Sequence, residues 1–173
     1  NSPTLRVGGG ITKNFPTVQH QYRMYSLDNS YDFDDLEDWE KRIIKTIDEP
    51  VEFVAELKYD GASISILYEN GKLSQAVTRG DGFQGDEITN NVRTISDIPL
   101  TLKGDFPNRF FIRGEIYLTR KNFDKINKTR EEEGLDLFMN PRNTASGSLK
   151  MQDSGEVRKR GLSAVLYQYI SDE

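Results

Sequence analysis

The chain has 173 residues, of which 35% are hydrophobic and 29% are charged, proportions typical of one globular domain rather than a disordered segment. The formal net charge of −5 argues against a protein that binds nucleic acids through bulk positive charge alone. Because the chain contains no cysteine, it can form neither a disulfide framework nor a thiolate metal site. No apolar stretch approaches the ~20 residues that span a bilayer, and no signal peptide opens the chain, so we expect a cytoplasmic protein.

The N-terminal residues are rich in small and turn-forming amino acids. Residues 1–19 contain a run of three glycines together with Ser, Pro and Thr, which predicts a lead-in or linker segment. We therefore divide the chain into this segment and a domain over residues 20–173. The chain begins with Asn1 rather than with methionine, and from this we expect a piece cut from a longer protein.

An amphipathic helix is predicted shortly after the lead-in segment. Apolar side chains recur at spacings of three and four residues, at Leu36, Trp39, Ile43 and Ile47. Acidic residues load the first turn of this helix, as the helix dipole prefers. This helix is interpreted as part of the scaffold.

An alternating run at residues 51–58 predicts a strand that ends at a turn. In a strand, Glu56 and Lys58 point to the same face, and Asp60 follows on the turn. A lysine between two acidic residues also fits an ordinary ion pair on a solvated strand, since charged groups are usually exposed. The run by itself therefore leaves a structural and a catalytic interpretation open.

The rest of the chain alternates between strand and helix patterns. Strands are predicted at residues 62–68 and 73–79, joined by a hairpin at Asn70 and Gly71, because both turn residues tolerate positive φ. Further predicted elements are a helix at 86–95, a strand at 110–118, a helix between a Thr119 cap and Gly134, a turn at 140–143, a helix at 144–151, a surface loop at 158–160 and a strand at 162–170.

Two local features of these elements bear on a binding site. The glycines that follow the third predicted strand, Gly80, Gly82 and Gly85, allow the backbone to approach a ligand closely. Such loops are also common as plain turns, so the loop alone leaves both interpretations open. On the last strand, Tyr167 and Tyr169 are expected to share one face, because alternate residues of a strand point the same way.

Six short motifs occur in a fixed order along the chain. They are Met24-Tyr25-Ser26-Leu27-Asp28-Asn29, Glu56-Leu57-Lys58-Tyr59-Asp60-Gly61, Thr78-Arg79-Gly80-Asp81-Gly82, Asn91-Val92-Arg93-Thr94-Ile95, Arg113-Gly114-Glu115 and Asn140-Pro141-Arg142-Asn143-Thr144-Ala145-Ser146-Gly147-Ser148-Leu149-Lys150. Together they resemble the adenylation domain of bacterial NAD-dependent DNA ligases, within the covalent nucleotidyltransferases that share a Lys-x-Asp-Gly motif. A lone Lys-x-Asp-Gly is a weak signal, whereas the six motifs in this order run nearly end to end.

The resemblance implies a fold. Members of this family are α+β proteins with mostly antiparallel sheets flanked by helices around a nucleotide cleft, the nucleotidyltransferase fold of DNA ligases and mRNA capping enzymes. The later motifs of the family, an Asp-Gly-Val-Val type and a lysine-containing one, do not occur in this chain. We therefore expect a partial domain, incomplete at its C-terminus, whose exposed apolar surface drives self-association.

The resemblance also implies a reaction. In the family a lysine amine attacks the α-phosphate of NAD, releases nicotinamide mononucleotide and holds AMP as a phosphoramidate. Lys58 matches this nucleophile, and a neutral amine on a long flexible stem suits that role. Asp60 is implied as a second catalytic residue that shapes the turn beside the lysine. Mg²⁺ is expected for catalysis.

Further site residues are implied position by position. The nucleotide-binding residues are Ser26, Leu27, Glu56, Lys58, Arg79, Glu115 and Tyr167. Ser26 and Leu27 match a segment that lines the pocket, and Glu56 matches the acceptor for the adenine amino group. Arg79 is implied near the ribose and phosphate, and Glu115 near the ribose hydroxyls. The aromatic ring of Tyr167 is implied near the base.

The DNA-binding residues implied by the resemblance are Arg142 and Lys150. The partner they imply is nicked double-stranded DNA, bound by the full-length enzyme. Many members have arginine where this chain has Lys150, a change that retains the charge and loses the bidentate fork of a guanidinium.

Two alternative functions stay open beside this one. The first is an ATP-dependent polynucleotide ligase or a capping guanylyltransferase, which shares the lysine motif. The second is a non-catalytic module that binds nucleic acid. The co-occurrence of Glu56, Lys58 and Glu115 argues against the second alternative, because a silent scaffold does not require that set.

Overall fold

The computed structural model describes residues 14–47 and 49–171, which divide into two compact units. The first unit comprises residues 14–24 and 59–171, and the second comprises residues 25–47 and 49–58. In chain order the elements are β1 (Thr17–Gln19), α1 (Phe33–Thr46), β2 (Ala62–Glu69), β3 (Lys72–Thr78), β4 (Gln84–Asp86), α2 (Thr89–Val92), β5 (Arg109–Tyr117), α3 (Arg120–Glu132), α4 (Pro141–Leu149), α5 (Ser154–Arg160) and β6 (Ser163–Ile170). None of the helices in these described ranges has the length and apolar content needed to cross a membrane.

A four-stranded antiparallel sheet forms the frame of the first unit, in the order β3-β2-β5-β6. The register places Ile64 of β2 opposite Gly114 of β5, and it places Ser63 opposite Glu115. Because alternate residues point to opposite faces, these two pairs belong to different sides of the sheet. A second sheet contains only β1 and β4, which pair antiparallel.

One face of the large sheet carries the hydrophobic core. Ile64, Ile66 and Ile116 are completely buried there. Helices α2, α3, α4 and α5 each contribute to this core, through Val92, Phe123, Ala145, Leu149 and Val157. The opposite face carries polar side chains, and the cleft described below lies at one end of it.

Most predicted elements of the first unit are confirmed. The hairpin between β2 and β3 turns at Asn70 and Gly71, whose φ angles of 48° and 70° suit a two-residue hairpin turn. Thr119 caps α3 by accepting a hydrogen bond from the Asn122 amide, and Gly134 follows the helix with φ 68°. The α+β class with antiparallel sheets is therefore confirmed.

The strand predicted at residues 51–58 is wrong. The chain has no regular secondary structure there and no strand pairing to any other described residue, and Val54 and Leu57 are 84% and 81% exposed. Alternation predicts a strand only when a neighbouring strand satisfies its backbone groups. The argument that Glu56 and Lys58 share a strand face therefore has no support in the structure.

Three boundaries also differ from the prediction. The helix predicted at 86–95 is a single turn, α2, because Gly85 and Asp86 pair with β1 instead. Helix α4 begins at Pro141 within the predicted turn, since Asn140 caps it and proline suits the first helical position. The predicted loop at 158–160 is the last turn of α5, where its three basic side chains complement the helix dipole.

The second unit contains one helix, α1, as predicted. The Asp32 side chain caps α1 by accepting a hydrogen bond of 2.9 Å from the Asp35 amide. Trp39 packs against Phe53 with ring centroids 5.0 Å apart. Strand β1 (Thr17–Gln19) lies within the predicted lead-in segment, residues 1–19, and belongs to the first unit. The division of the chain into a lead-in segment and a domain at residue 19 stays a prediction.

Candidate functional site

A cleft of about 340 Å³ opens at one end of the polar sheet face in the first unit. It is lined by the start of β2, the end of β3, the middle of β5 and both ends of α4. The lining residues are Gly61, Ala62, Ser63, Thr78, Arg79, Gly80, Glu115, Arg142, Asn143, Ser146, Leu149 and Lys150. Four of the residues implied by the motifs, Arg79, Glu115, Arg142 and Lys150, thus lie together.

Glu115 is the buried anion of this cleft, and only 9% of it is exposed. The Ser63 hydroxyl on the neighbouring strand donates a hydrogen bond of 2.6 Å to Glu115 Oε2. A buried carboxylate requires such a partner, because an unpaired charge in a protein interior is costly. The bond fixes one oxygen and leaves the other for a ligand that donates hydrogen bonds, as a sugar hydroxyl does.

A β-bulge brings Tyr167 to the same side of the sheet. The register of β6 shifts between Arg113 and Gly114, so that Gln168 pairs with Arg113, Leu166 pairs with Gly114 and Tyr167 has no Cα partner. Partial burial raises the pKa of the Tyr167 phenol, and the nearby Glu115 carboxylate raises it further.

The expectation that Tyr167 and Tyr169 share a face is therefore wrong. Tyr169 packs against Phe110 on the core side, with ring centroids 5.3 Å apart, whereas Tyr167 approaches the Glu115 carboxylate. Gly114 makes the bulge possible, because a Cβ at this position would overlap with the backbone oxygen of Val165. The glycine of the Arg113-Gly114-Glu115 motif is thus required by strand geometry.

Helix α4 presents Arg142 in its first turn and Lys150 at its C-cap. The C-terminal end is fixed by Asn91, whose side-chain amide donates to the carbonyls of Leu149 and Met151 at 2.7 and 2.8 Å. These two carbonyls flank Lys150, and Asn91 is itself only 2% exposed. The Asn91 motif therefore holds the main chain around Lys150.

Two ion pairs compensate the cations of α4. Arg142 Nη1 lies 3.2 Å from Asp60 Oδ1, and Lys150 Nζ lies 2.6 Å from Asp86 Oδ2. All four side chains are partly exposed, so each pair contributes at most about 1 kcal/mol to stability. An incoming phosphate can therefore compete for either cation at small cost.

The loop after β3 carries Arg79 into the cleft. The Asp81 carboxylate accepts hydrogen bonds from the amides of Phe83 and Gln84, which lower the pKa of Asp81. Gly80 lines the cleft, and the expectation that the loop glycines let the backbone approach a ligand stays a prediction. A Cβ on Gly82 would overlap with the backbone oxygen of Met24, so this glycine serves contact within the protein.

The remaining implied residues belong to the second unit. Ser26 and Leu27 line an open groove there with Trp39. Glu56 and Lys58 lie in the irregular segment at residues 51–58, and both residues are exposed.

Sequence reasoning missed three residues that support the site from a distance. Ser63 orients Glu115, Asn91 holds the chain around Lys150, and the imidazole of His20 lies 3.1 Å from the carbonyl oxygen of Arg79. The Asn91-Val92-Arg93-Thr94-Ile95 motif marked one of them without indicating its role. Nothing near His20 in the sequence indicated a contact.

The sequence of the chain is similar to a known protein family and to several named proteins. The family described as the NAD-dependent DNA ligase adenylation domain matches residues 12–173. A protein named DNA ligase from Flavobacterium psychrophilum is 63% identical over 173 residues, which is 99% of this chain and 26% of that protein. DNA ligases from Christiangramia forsetii and Bacteroides fragilis are 60% and 51% identical, again with 99% of this chain and 26% of each relative covered.

The chain spans about a quarter of the length of these relatives. The family match covers nearly the whole chain and includes the lysine motif, the Arg79 loop and the residues that line the cleft. The chain therefore belongs to the family of NAD-dependent DNA ligase adenylation domains.

Proposed function

We propose that this domain transfers AMP from NAD to its own Lys58, as the first step of sealing nicks in DNA by a full-length ligase. The observation that carries the proposal is the cleft, in which a buried carboxylate, Glu115, lies among the cations Arg79, Arg142 and Lys150. A nucleotide requires both kinds of partner, since its ribose donates hydrogen bonds and its phosphates carry negative charge.

In the proposed reaction, the neutral amine of Lys58 attacks the α-phosphorus of NAD. A new N–P bond forms while the bond from phosphorus to the bridging pyrophosphate oxygen breaks. Nicotinamide mononucleotide leaves with the bonding electron pair, and the amine loses a proton to solvent. The reference pKa of lysine is ~10.4, so nearby positive charge is needed to favour the neutral amine.

The nucleotide would be held at three points. Glu56 accepts a hydrogen bond from the adenine amino group, and Glu115 accepts one from a ribose hydroxyl. Tyr167 stacks near the base, where a base on an aromatic ring contributes about 1–3 kcal/mol. Ser26 and Leu27 are also assigned to nucleotide binding, as the resemblance to the family implies.

The phosphates are the fourth point of recognition, and Arg79 is the protein group that we assign to them. Mg²⁺, when bound, would neutralise charge on the pyrophosphate oxygens. Across the described ranges no group of three or more His, Asp or Glu side chains could hold a metal ion. Mg²⁺ often keeps several waters and binds through substrate phosphates with few protein ligands, so we propose that it binds together with the nucleotide.

We further propose that Arg142 and Lys150 bind phosphates of nicked double-stranded DNA in the full-length, cytoplasmic enzyme. Support comes from their position at the two ends of α4, on the rim of the cleft that holds Glu115. AMP would pass from Lys58 to the 5′-phosphate at the nick, and the 3′-hydroxyl would then displace it.

The 173-residue chain by itself should seal no nicks. The phosphate-binding lysines of the later family motifs and the DNA-encircling parts of a ligase are not among its residues, so transition-state charge would stay uncompensated. We also propose that the chain self-associates through apolar surface. Nick sealing by the purified chain would contradict the first statement, and a strictly monomeric sedimentation profile at high concentration would contradict the second.

Intact-mass spectrometry of the full-length ligase that carries this domain tests the choice of nucleotide. The protein is incubated separately with NAD, ATP and GTP, each with Mg²⁺. We expect AMP attachment from NAD alone. AMP attached from ATP would favour the ATP-dependent class, and GMP attached from GTP would favour a capping enzyme.

A further inference from the structure

A short segment, residues 20–24, crosses the polar face of the sheet between β5 and the loop that carries Arg79. We call this segment the brace. Arg113 of β5 holds it from one side, because its Nη2 atom donates hydrogen bonds to the carbonyls of Tyr22 and Arg23 at 2.9 and 2.8 Å. Arg113 is only 9% exposed, and its Nη1 atom also lies 3.2 Å from the Gln168 side-chain oxygen. The brace is thus fixed to the sheet by a buried cation.

The other side of the brace holds the Arg79 loop. The amide of His20 donates to the carbonyl of Phe83 at 2.8 Å, and the amide of Met24 donates to the carbonyl of Gly82 at 2.9 Å. The His20 imidazole adds contacts with the loop, since its Nε2 lies 3.1 Å from the carbonyl oxygens of both Thr78 and Arg79. Two carbonyl acceptors require a proton on Nε2, which both the imidazolium and one neutral tautomer provide.

Both polar groups of the Arg79 main chain are therefore occupied. Its amide donates to the carbonyl of Ser63 at 2.9 Å. Its carbonyl accepts a hydrogen bond of 3.0 Å from the Gly82 amide and also lies 3.1 Å from His20 Nε2. Ser63 is the same residue whose hydroxyl orients Glu115. The main chain of Arg79 is thus held by β2 at its amide, and by His20 together with the Gly82 amide at its carbonyl.

We propose that His20 is a positioning residue for Arg79, which holds the loop main chain so that the guanidinium meets the nucleotide phosphates. This inference rests on the function proposed above. His20 forms no bond in the reaction and acts through the Arg79 backbone. Because catalytic rates fall steeply when a binding group is displaced by about 1 Å, the His20→Ala variant should attach AMP about tenfold more slowly.

The test compares rates of AMP attachment in the full-length ligase that carries this domain. The His20→Gln variant keeps an N–H donor close to the position of Nε2, so its rate should return to within about threefold of the wild-type rate. Gln21→Ala is the matched control on the same segment, because the Gln21 side chain accepts a hydrogen bond of 2.8 Å from Arg109 of β5. A double-mutant cycle with Arg79→Ala then tests whether the loss of rate in His20→Ala depends on the Arg79 side chain.

If His20 acts through Arg79, the His20→Ala change should cost little further rate in the Arg79→Ala background. An equal tenfold loss in both backgrounds would overturn the inference, as would a His20→Gln variant as slow as His20→Ala.

Amide hydrogen exchange of residues 79–84 in the 173-residue chain gives an independent readout. We expect faster exchange in His20→Ala and unchanged exchange in Gln21→Ala, and unchanged exchange in both would overturn the inference. A wild-type enzyme that attaches no AMP would instead refute the proposed function, and the exchange experiment would still decide whether His20 holds the loop.

Discussion

The hydroxyl of Ser63 donates a 2.6 Å hydrogen bond to Glu115 across directly paired positions of β2 and β5. This pair joins the first strand after the Lys58 motif to the Arg113-Gly114-Glu115 motif. Because Glu115 is buried, its orientation depends on the serine rather than on solvent. The pair therefore links the strand order of the sheet to the geometry of the ribose site.

Replacing Ser63 with alanine should weaken nucleotide recognition. A hydrogen bond to a charged group is worth about 1.5–3 kcal/mol, so the KM for NAD should rise about tenfold or more. Ser65→Ala is the control, since Ser65 lies two residues further on the same face of β2 and pairs with Arg113 rather than with Glu115. Equal effects of the two variants on KM would show that Ser63 has no specific role in the site.

Gly114→Ala should destabilise the chain, because the new Cβ would collide with the backbone of β6 at the bulge. Overpacking of this kind costs about 1–3 kcal/mol, which thermal or urea unfolding detects. Gly147→Ala provides a contrast of opposite sign. Gly147 lies within α4 with no atom near its potential Cβ, so alanine should stabilise the chain by about 0.5–1 kcal/mol. An unchanged unfolding midpoint in Gly114→Ala would mean that the bulge does not require glycine.

Glu56 and Glu115 should differ in what they recognise. Glu56→Ala should relax the discrimination between adenosine and guanosine nucleotides, because the lost partner faces the base. Glu115→Ala should weaken both nucleotides equally through the ribose, by about 1.5–3 kcal/mol. Calorimetry with the two nucleotides measures this, and Glu52→Ala in the same irregular segment is the control. Equal losses for both bases in Glu56→Ala would show that Glu56 is misassigned.

Arg142 and Lys150 should contribute to DNA binding through charge alone. In the full-length ligase, alanine at either position should weaken nicked DNA to a similar extent for different sequences. Each variant should also reduce the slope of log affinity against log salt by about 0.9, the value for one phosphate contact. Lys159→Ala is the control, because Lys159 lies on α5 and pairs with Glu156 outside the cleft. A salt slope unchanged from wild type would exclude a phosphate contact.

Local signals predicted those parts of the fold that local chemistry determines. The hairpin at Asn70 and Gly71 and the caps of α1 and α3 follow from turn and capping chemistry within a few residues. Residues 51–58 show the limit of this reasoning, because alternation specifies a face and does not supply a partner strand. Helix α5 was missed because its basic side chains suggested a solvated loop, although Asp153 is an ordinary N-cap.

The site could be predicted only where motifs marked its residues. Arg79, Glu115, Arg142 and Lys150 were implied by the resemblance, and the structure places all four in one cleft. Their supporting contacts are long-range and leave no local pattern. The hydrogen bond from Ser63 to Glu115 joins residues 52 positions apart, and the bond from Asn91 to Leu149 joins residues 58 positions apart. The contact of His20 with Arg79 joins residues 59 positions apart. The prediction that Tyr167 and Tyr169 share one face of the last strand was wrong for the same reason. The bulge at Tyr167 depends on the register of β6 with β5, a strand about 50 residues earlier.

Lys58 should be needed for AMP attachment and much less for the last step of ligation. Sealing of a nick that already carries 5′-AMP does not pass through the lysine adduct, so it should survive in Lys58→Ala far better than complete ligation. Comparing the two substrates with the full-length ligase separates a covalent role from an electrostatic one. Equal loss on both substrates would point to an electrostatic role.

The most direct test is mass spectrometry of the full-length ligase and its Lys58→Arg variant after incubation with NAD and Mg²⁺. Arginine keeps the positive charge, but its guanidinium stays protonated and is not a nucleophile. We predict AMP on the wild-type peptide that contains Lys58 and no protein-bound AMP in Lys58→Arg. Enzyme-bound AMP that still accumulates in Lys58→Arg would contradict the account, because the nucleophile would then lie elsewhere.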